Sequence, residues 1–251
     1  MSYVPYEAPG EDKKTFAVNG QFFWSIYGED KFEPFAMVDK AEITISEETE
    51  ELPNAFTGNG NFDKLTRVKS LVMDFNVQQF SPGVLAELTQ GAFSSREAKT
   101  VSDEVHLAYK GAVMRIEHVG GSDYQLSDET GAKAYKAGLD YFPTPAGPIP
   151  LPGGAITDGS KVKLSYKTGE ADVIEWLAGS RRERSLMFQG VNRANNKTAV
   201  VELFRGKFGF ADKVSLLDKG FRSSGVKFEC LEDPRQTGDK VSRWIRETYL
   251  K

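Results

Sequence analysis

The sequence predicts a mainly β fold, a β-sandwich or barrel flanked by one short α-helix, with a long inter-strand loop and an additional β subdomain. Three observations carry this. Short segments that alternate apolar and polar residues recur along the 251 residues. Turn formers punctuate them, with 24 Gly and 11 Pro. Aromatic side chains make up 12% of the chain, and clusters of Val, Ile and Thr accompany them, as strands favour. A chain of this length buries a sizeable core without disulfides. Cys230 is the only cysteine, and its place in the alternating Val226-Lys227-Phe228-Glu229-Cys230 makes it a small buried residue.

The elements follow in order. Residues 1–34 are polar and broken by Pro5, Pro9 and Gly10 before an aromatic cluster at Phe22, Phe23, Trp24 and Tyr27. They read as an N-terminal arm whose cluster packs on its own domain or docks on a partner. In residues 40–46, Ala41, Ile43 and Ile45 fall on one face of a strand, and Leu71, Met73, Phe75 and Val77 repeat the pattern. The stretch 47–65 between them is far longer than a hairpin loop of two to five residues, and loops of that length usually serve a function. Its acidic side chains Glu47, Glu48, Glu50 and Glu51 form a solvated, mutually repelling run, and Gly58-Asn59-Gly60-Asn61 a flexible tip.

Next comes a helix with Ser81 as N-cap, Pro82 at its first position, an apolar stripe of Val84, Leu85 and Leu88, and Gly91 past its end. Residues 101–180 form an inserted or outer β subdomain, with strands at 105–109, 112–118, 134–141, 161–166 and 173–177. The Pro/Gly run 143–154 is a stiff surface connection. Long strands return at 185–191, 197–208 and 223–231, the first two joined by an Asn-rich turn at 192–196, and residues 239–251 form a short closing helix or strand. Residues 35–100 and 181–251 together make the main domain.

Chemistry is not where these residues point. His106 and His118 have no partner at metal-ligand spacing, and the chain carries no calcium-loop or phosphate-loop motif. No nucleophile, base and oxyanion element come together, so neither an enzyme nor a cofactor is expected. Arg205-Gly206-Lys207-Phe208-Gly209-Phe210 faintly resembles an RNA-stacking strand, but Lys207 breaks the register. Arg181-Arg182-Glu183-Arg184 reads as a solvated turn or an intersubunit ion-pair site. The net charge of −4, from 32 basic and 36 acidic side chains, argues against gripping a phosphate backbone. The opening Met1 to Glu7 lacks a signal-peptide pattern and no stretch reaches transmembrane length, so a soluble product made in a cytoplasm is expected, with no membrane partner. With Ala41, Ile43, Leu71, Met73, Phe75, Val226 and Phe228 toward the core, alternation sends Lys40, Glu42, Asp74, Asn76, Gln78, Lys227 and Glu229 to the opposite face, joined by Glu202.

Several blocks resemble the major tail tube protein of long-tailed, siphovirus-like bacteriophages. They are Ala41-Glu42-Ile43-Thr44-Ile45-Ser46 with Glu50-Glu51-Leu52-Pro53-Asn54, Phe80-Ser81-Pro82 with Leu85-Ala86, and Ala137-Gly138-Leu139-Asp140-Tyr141. Ile156-Thr157-Asp158-Gly159, Leu186-Met187-Phe188-Gln189-Gly190-Val191-Asn192, Val200-Val201-Glu202-Leu203-Phe204-Arg205 and Ala211-Asp212-Lys213-Val214-Ser215-Leu216-Leu217 continue the series. The resemblance implies the tail-tube β-sandwich and hexameric rings stacked into the tube through which DNA is ejected. It further implies a virion protein, made in the host bacterial cytoplasm, that meets tip or initiator, tape-measure and terminator proteins. The 47–65 loop would bridge one ring to the next, with Glu50, Glu51, Leu52, Pro53, Phe56 and Phe62 as its contact residues. The polar face with Lys40, Glu42, Asp74, Asn76, Gln78, Glu202, Lys227 and Glu229 would line the lumen, where excess carboxylates let DNA slide without specific binding. A competing reading is a β-sandwich carbohydrate- or receptor-binding module that uses exposed aromatics such as Trp176 or Tyr124.

Overall fold

A computed structural model describes residues 18–250 apart from 79, 194–195, 218 and 220–222. The chain is mainly β, with antiparallel sheets and, among the described residues, one short helix. In chain order it forms β1 (Val18–Ile26), β2 (Glu33–Pro34), β3 (Val38–Pro53), β4 (Asn61–Val77) and α1 (Pro82–Leu88). There follow β5 (Ala92–Arg96), β6 (Lys99–Ala108), β7 (Gly121–Asp128), β8 (Ala134–Tyr135), β9 (Tyr141–Phe142), β10 (Ile149–Pro150), β11 (Ser160–Thr168) and β12 (Ala171–Glu175). The last elements are β13 (Glu183–Asn192), β14 (Thr198–Phe208), β15 (Ser224–Cys230) and β16 (Ile245–Tyr249).

Two compact units result. The smaller is Phe93–Val173, so the insertion begins eight and ends seven residues before the 101–180 read from sequence, and the larger takes the described residues on either side. The N-terminal stretch also differs from expectation. Residues 1–17 lie outside the described residues, but β1 is no arm: it pairs along its length with β13 inside the main sheet, Phe22 opposite Phe188 and Trp24 opposite Leu186.

The larger unit is one eight-stranded sheet in the order β2-β1-β13-β14-β15-β4-β3, with β16 beside β14. Alternation explains its strands. On β4, Leu71, Met73, Phe75 and Val77 are buried, and on β15 Val226, Phe228 and Cys230, while Lys227 and Glu229 face solvent. Burial pushes the Cys230 thiol up to about 12, which leaves it an inert packing residue. The aromatic cluster of β1 closes on its own core: Phe22 meets Phe75 edge-on at 5.0 Å, Trp24 lies 5.2 Å from Phe35, and Phe35 stacks on Phe208 at 5.1 Å. β14 bends at a bulge where Leu203 and Phe204 are both buried and Ser185 Oγ donates to the Phe204 carbonyl at 2.7 Å. On one side of the bend β14 pairs with β15 through Gly206–Phe208, and on the other with β16 through Ala199–Leu203.

Helix α1 forms as its caps dictate. Ser81 Oγ accepts the Val84 N–H at 3.3 Å, Pro82 sets the first φ, and Val84, Ala86 and Leu88 are buried while Leu85 is only half-buried. The left-handed residue that ends the helix is Gln90, at φ 48°, rather than Gly91. Gly91 is needed for a close approach, since a Cβ there would stand 2.9 Å from the Glu175 carbonyl oxygen.

The smaller unit centres on a four-stranded sheet, β6-β11-β7-β8, with Ile116, Ile156, Val162, Leu164 and Tyr166 almost fully buried. Its strand at 112–118 does not form. Met114 and Ile116 do point inward as the alternation requires, but their neighbour is the proline run, which has few N–H groups to give. Contacts therefore run one way: the carbonyls of Pro150, Pro148 and Pro145 accept from Gly111, Met114 and Gly120. The run 143–154 is thus partly buried, not simply a surface connection. Of the expected strand 134–141 only the ends survive, as β8 and β9, because Asp140 folds the middle into a turn by accepting from Lys136 N and Ala155 N, each at 2.8 Å. The strands β5 and β7 carry too many polar residues to be recognised from pattern alone.

Candidate functional site

The stretch 47–65 is not a loop. β3 and β4 stay paired from Val38–Val77 out to Pro53–Asn61, so the two strands leave the sheet together as a two-stranded arm closed by a short turn. The turn is built by Asn54, whose Oδ1 accepts from Phe56 N at 3.0 Å and Thr57 N at 3.2 Å, while Gly58 and Gly60 supply left-handed φ of 67° and 75°. Glu50, Glu51, Leu52 and Pro53 therefore sit on β3, Phe62 on β4, and Phe56 at the tip. The acidic run is partly answered across the ribbon: Glu48 meets Arg67 at 3.1 Å and Glu51 meets Lys64 at 3.9 Å, both pairs exposed and worth little to stability. Sequence reading misses this pairing because both strands lose their alternation where neither face is covered.

From Glu47 to Lys69 every residue of the arm except Asn54 is exposed. Phe56 is 92% exposed, Phe62 64%, Leu65 62% and Leu52 57%, with the Phe56 and Phe62 rings 6.4 Å apart. A two-stranded ribbon without cover is marginal in water, and these apolar side chains supply what a covering surface would bury.

The polar face of the sheet is assembled much as alternation predicts. Glu42, Asp74 and Lys227 lie directly across three neighbouring strands, and Lys40 is opposite Asn76. The like charges of Glu42 and Asp74 are relieved by Lys40, 2.9 Å from Glu42, and by Lys227 on the far side of Asp74. Glu229 is opposite Lys207, and Glu202 lies 3.8 Å from Arg246. Gln78 stands just beyond β4, with Nε2 donating to Asp39 at 2.7 Å. Glu183, Arg205 and Lys207 belong to the same face and were missed, because the bulge in β14 shifts the phase; Arg205 clamps Glu183 with two bonds of 2.8 Å.

Two residues placed in the core are not covered. Ala41 and Ile43 lie opposite Phe75 and Met73 on the core side, but Ala41 is exposed and Ile43 is 42% exposed. Between β1 and β3 the core opens into a groove of about 1250 Å³ lined by Phe22, Phe35, Met37, Ile43, Met73 and Phe188 among others.

At the far edge, Asp233 is fully buried and accepts from Tyr27 Oη at 2.7 Å and from Arg235 N at 3.0 Å. Burial alone would raise its pKa; the hydrogen bonds from Arg235 and Tyr27 outweigh it and hold the carboxyl down at about 2. The depressed value means that this stability is present above pH 4 and is lost as pH falls toward 2. Asp233→Asn is therefore expected to lower the denaturant midpoint at pH 7 and to show a smaller difference from wild type at pH 2. A constant difference across that range would rule out the charge as the cause.

The remaining chemical candidates resolve into structure. His106 Nε2 lies 2.9 Å from Glu104 Oε1, and Glu104 Oε2 accepts from Tyr166, whose phenol burial pushes up to about 12. Among the described residues, no three metal-binding side chains converge. Phe208 of the RNA-like motif is buried, and Arg181 lies over Phe210 at 5.4 Å from the ring centre. Tyr124 is partly buried against Tyr166 and donates to the Thr144 carbonyl at 2.7 Å, so it is not the exposed aromatic expected; Trp176 is 48% exposed. No helix among the described residues is long and apolar enough to cross a membrane.

No curated protein matches the sequence. A family model with the description "Protein of unknown function UCP028589" matches residues 15–248. That match takes in both units and nearly the whole chain, and the chain belongs to this family.

Proposed function

We propose that this chain is a structural virion subunit: copies assemble into hexameric rings that stack into the tail tube of a long-tailed bacteriophage and form the conduit for DNA ejection. The observation that carries the reading is the uncovered arm of β3 and β4, which presents Leu52, Phe56, Phe62 and Leu65 to solvent at its outer end. Full burial of four such side chains yields about 6–12 kcal/mol, against an association cost of roughly 4–15 kcal/mol. One arm is thus a weak contact and many together a strong one, which supports cooperative assembly. A contact in which the arm of one copy meets a different patch of the next does not close on two subunits but propagates. The mixed-charge polar face, with Glu42, Asp74, Glu183, Glu202 and Glu229 against Lys40, Arg205, Lys207 and Lys227, offers no basic excess and so supports a lumen that DNA passes without being held.

Negative-stain electron microscopy of the purified protein at rising concentration, with light scattering for mass, tests this. Rings or hollow tubes are expected above a threshold concentration. A protein that stays monomeric at every concentration and retains glycans on an array would instead be the β-sandwich binding module.

A further inference from the structure

We propose that the arm tip of one copy seats in the groove between β1 and β3 of a second copy and completes its open core. The inference rests on the self-assembly reading and adds the landing site. Three observations lead to it.

The groove is an uncovered part of the core. Phe22 and Met73 line its floor at 6% and 4% exposure, while Met37 and Ile43 on its rim are 62% and 42% exposed. Apolar residues this exposed beside buried core residues mark a surface awaiting cover.

Its size suits a ribbon. Two paired strands are about 10 Å wide and a sheet layer about 10 Å deep, so some 1250 Å³ accommodates about four residue pairs at about 3.3 Å each. The last pairs of the arm are Glu50 with Leu65, Glu51 with Lys64, Leu52 with Asp63 and Pro53 with Asn61; they carry the exposed Leu52 and Leu65, and the exposed Phe62 stands at the bulge between the last two.

The arm cannot serve its own groove. Ile43 lines the groove and belongs to the same strand as Leu52, and the paired ribbon between them spans about 30 Å at 3.3 Å per residue. Folding back would break that ladder, so an arm seated in this groove comes from another copy.

Phe62→Cys and Met37→Cys place one thiol at the arm and one on the groove rim, both at exposed positions, and Cys230 is buried. Under mild oxidation at assembling concentration, a covalent dimer is expected from the mixture of the two variants and from neither alone. Ile43→Asp is expected to raise the concentration needed for assembly at least tenfold. Tubes that form without the mixed dimer would overturn this landing site and leave the tail-tube reading standing. Absence of both tubes and dimer would overturn the two together. A dimer from Phe62→Cys alone would mean that arm meets arm, and a link within one chain of the double variant that the arm folds back; either result sinks the proposal.

Discussion

Truncation of Phe228 to alanine is expected to unfold the larger unit at a markedly lower temperature. Its side chain is fully buried, meets Phe208 edge-on at 4.9 Å, and sits at the middle of β15 with β4 on one side and β14 on the other. Phe→Ala at such a site costs about 3–5 kcal/mol, a large part of a domain's usual total of about 5–15 kcal/mol. The smaller unit has its own core around Val162, Leu164 and Tyr166 and contains no residue of the Phe228 cluster. Calorimetry should therefore show one transition displaced and another in place, with Leu164→Ala producing the converse. Equal displacement of both by either variant would mean that the two cores unfold as one.

The second large effect concerns assembly, not folding. The double variant Phe56→Ser, Phe62→Ser removes two largely exposed rings that lie 6.4 Å from each other. Exposed substitutions usually change stability by no more than about 0.5 kcal/mol, so the melting curve should match wild type. Rings and tubes, in contrast, should disappear from electron micrographs, and scattering should report a monomer at concentrations where the wild type is assembled. If the variant still builds tubes at the wild-type threshold, the arm is not the contact that joins subunits.

The strands at 71–77 and 224–230 were legible because one face of each is covered and selection of apolar side chains at every second position follows directly. Residues 47–65 were not, and the reason is physical: a ribbon exposed on both faces has no side to bury, so Glu47 to Pro53 read as loop although their backbone is fully paired. The polar face was legible as far as the alternation ran unbroken. Glu183, Arg205 and Lys207 escaped because the extra residue at Phe204 shifts the count by one, and a bulge leaves no signature in side-chain chemistry. Likewise the proline run hid the partner of Met114 and Ile116, since prolines accept hydrogen bonds without announcing a strand.

By itself the sequence determined which side is apolar in the strands that alternate without a break, where helix α1 starts, and that this is a β protein without disulfides, because all of these depend on residues within a few positions of one another. Only the tertiary structure decided which apolar sides are covered. Ile43 and Met73 face one another across neighbouring strands and carry the same signal, yet Ile43 is 42% exposed and Met73 4%. Met73 belongs to a buried cluster with Phe22, against which Phe188 packs, both far away along the chain, while the described residues leave Ile43 on the rim uncovered.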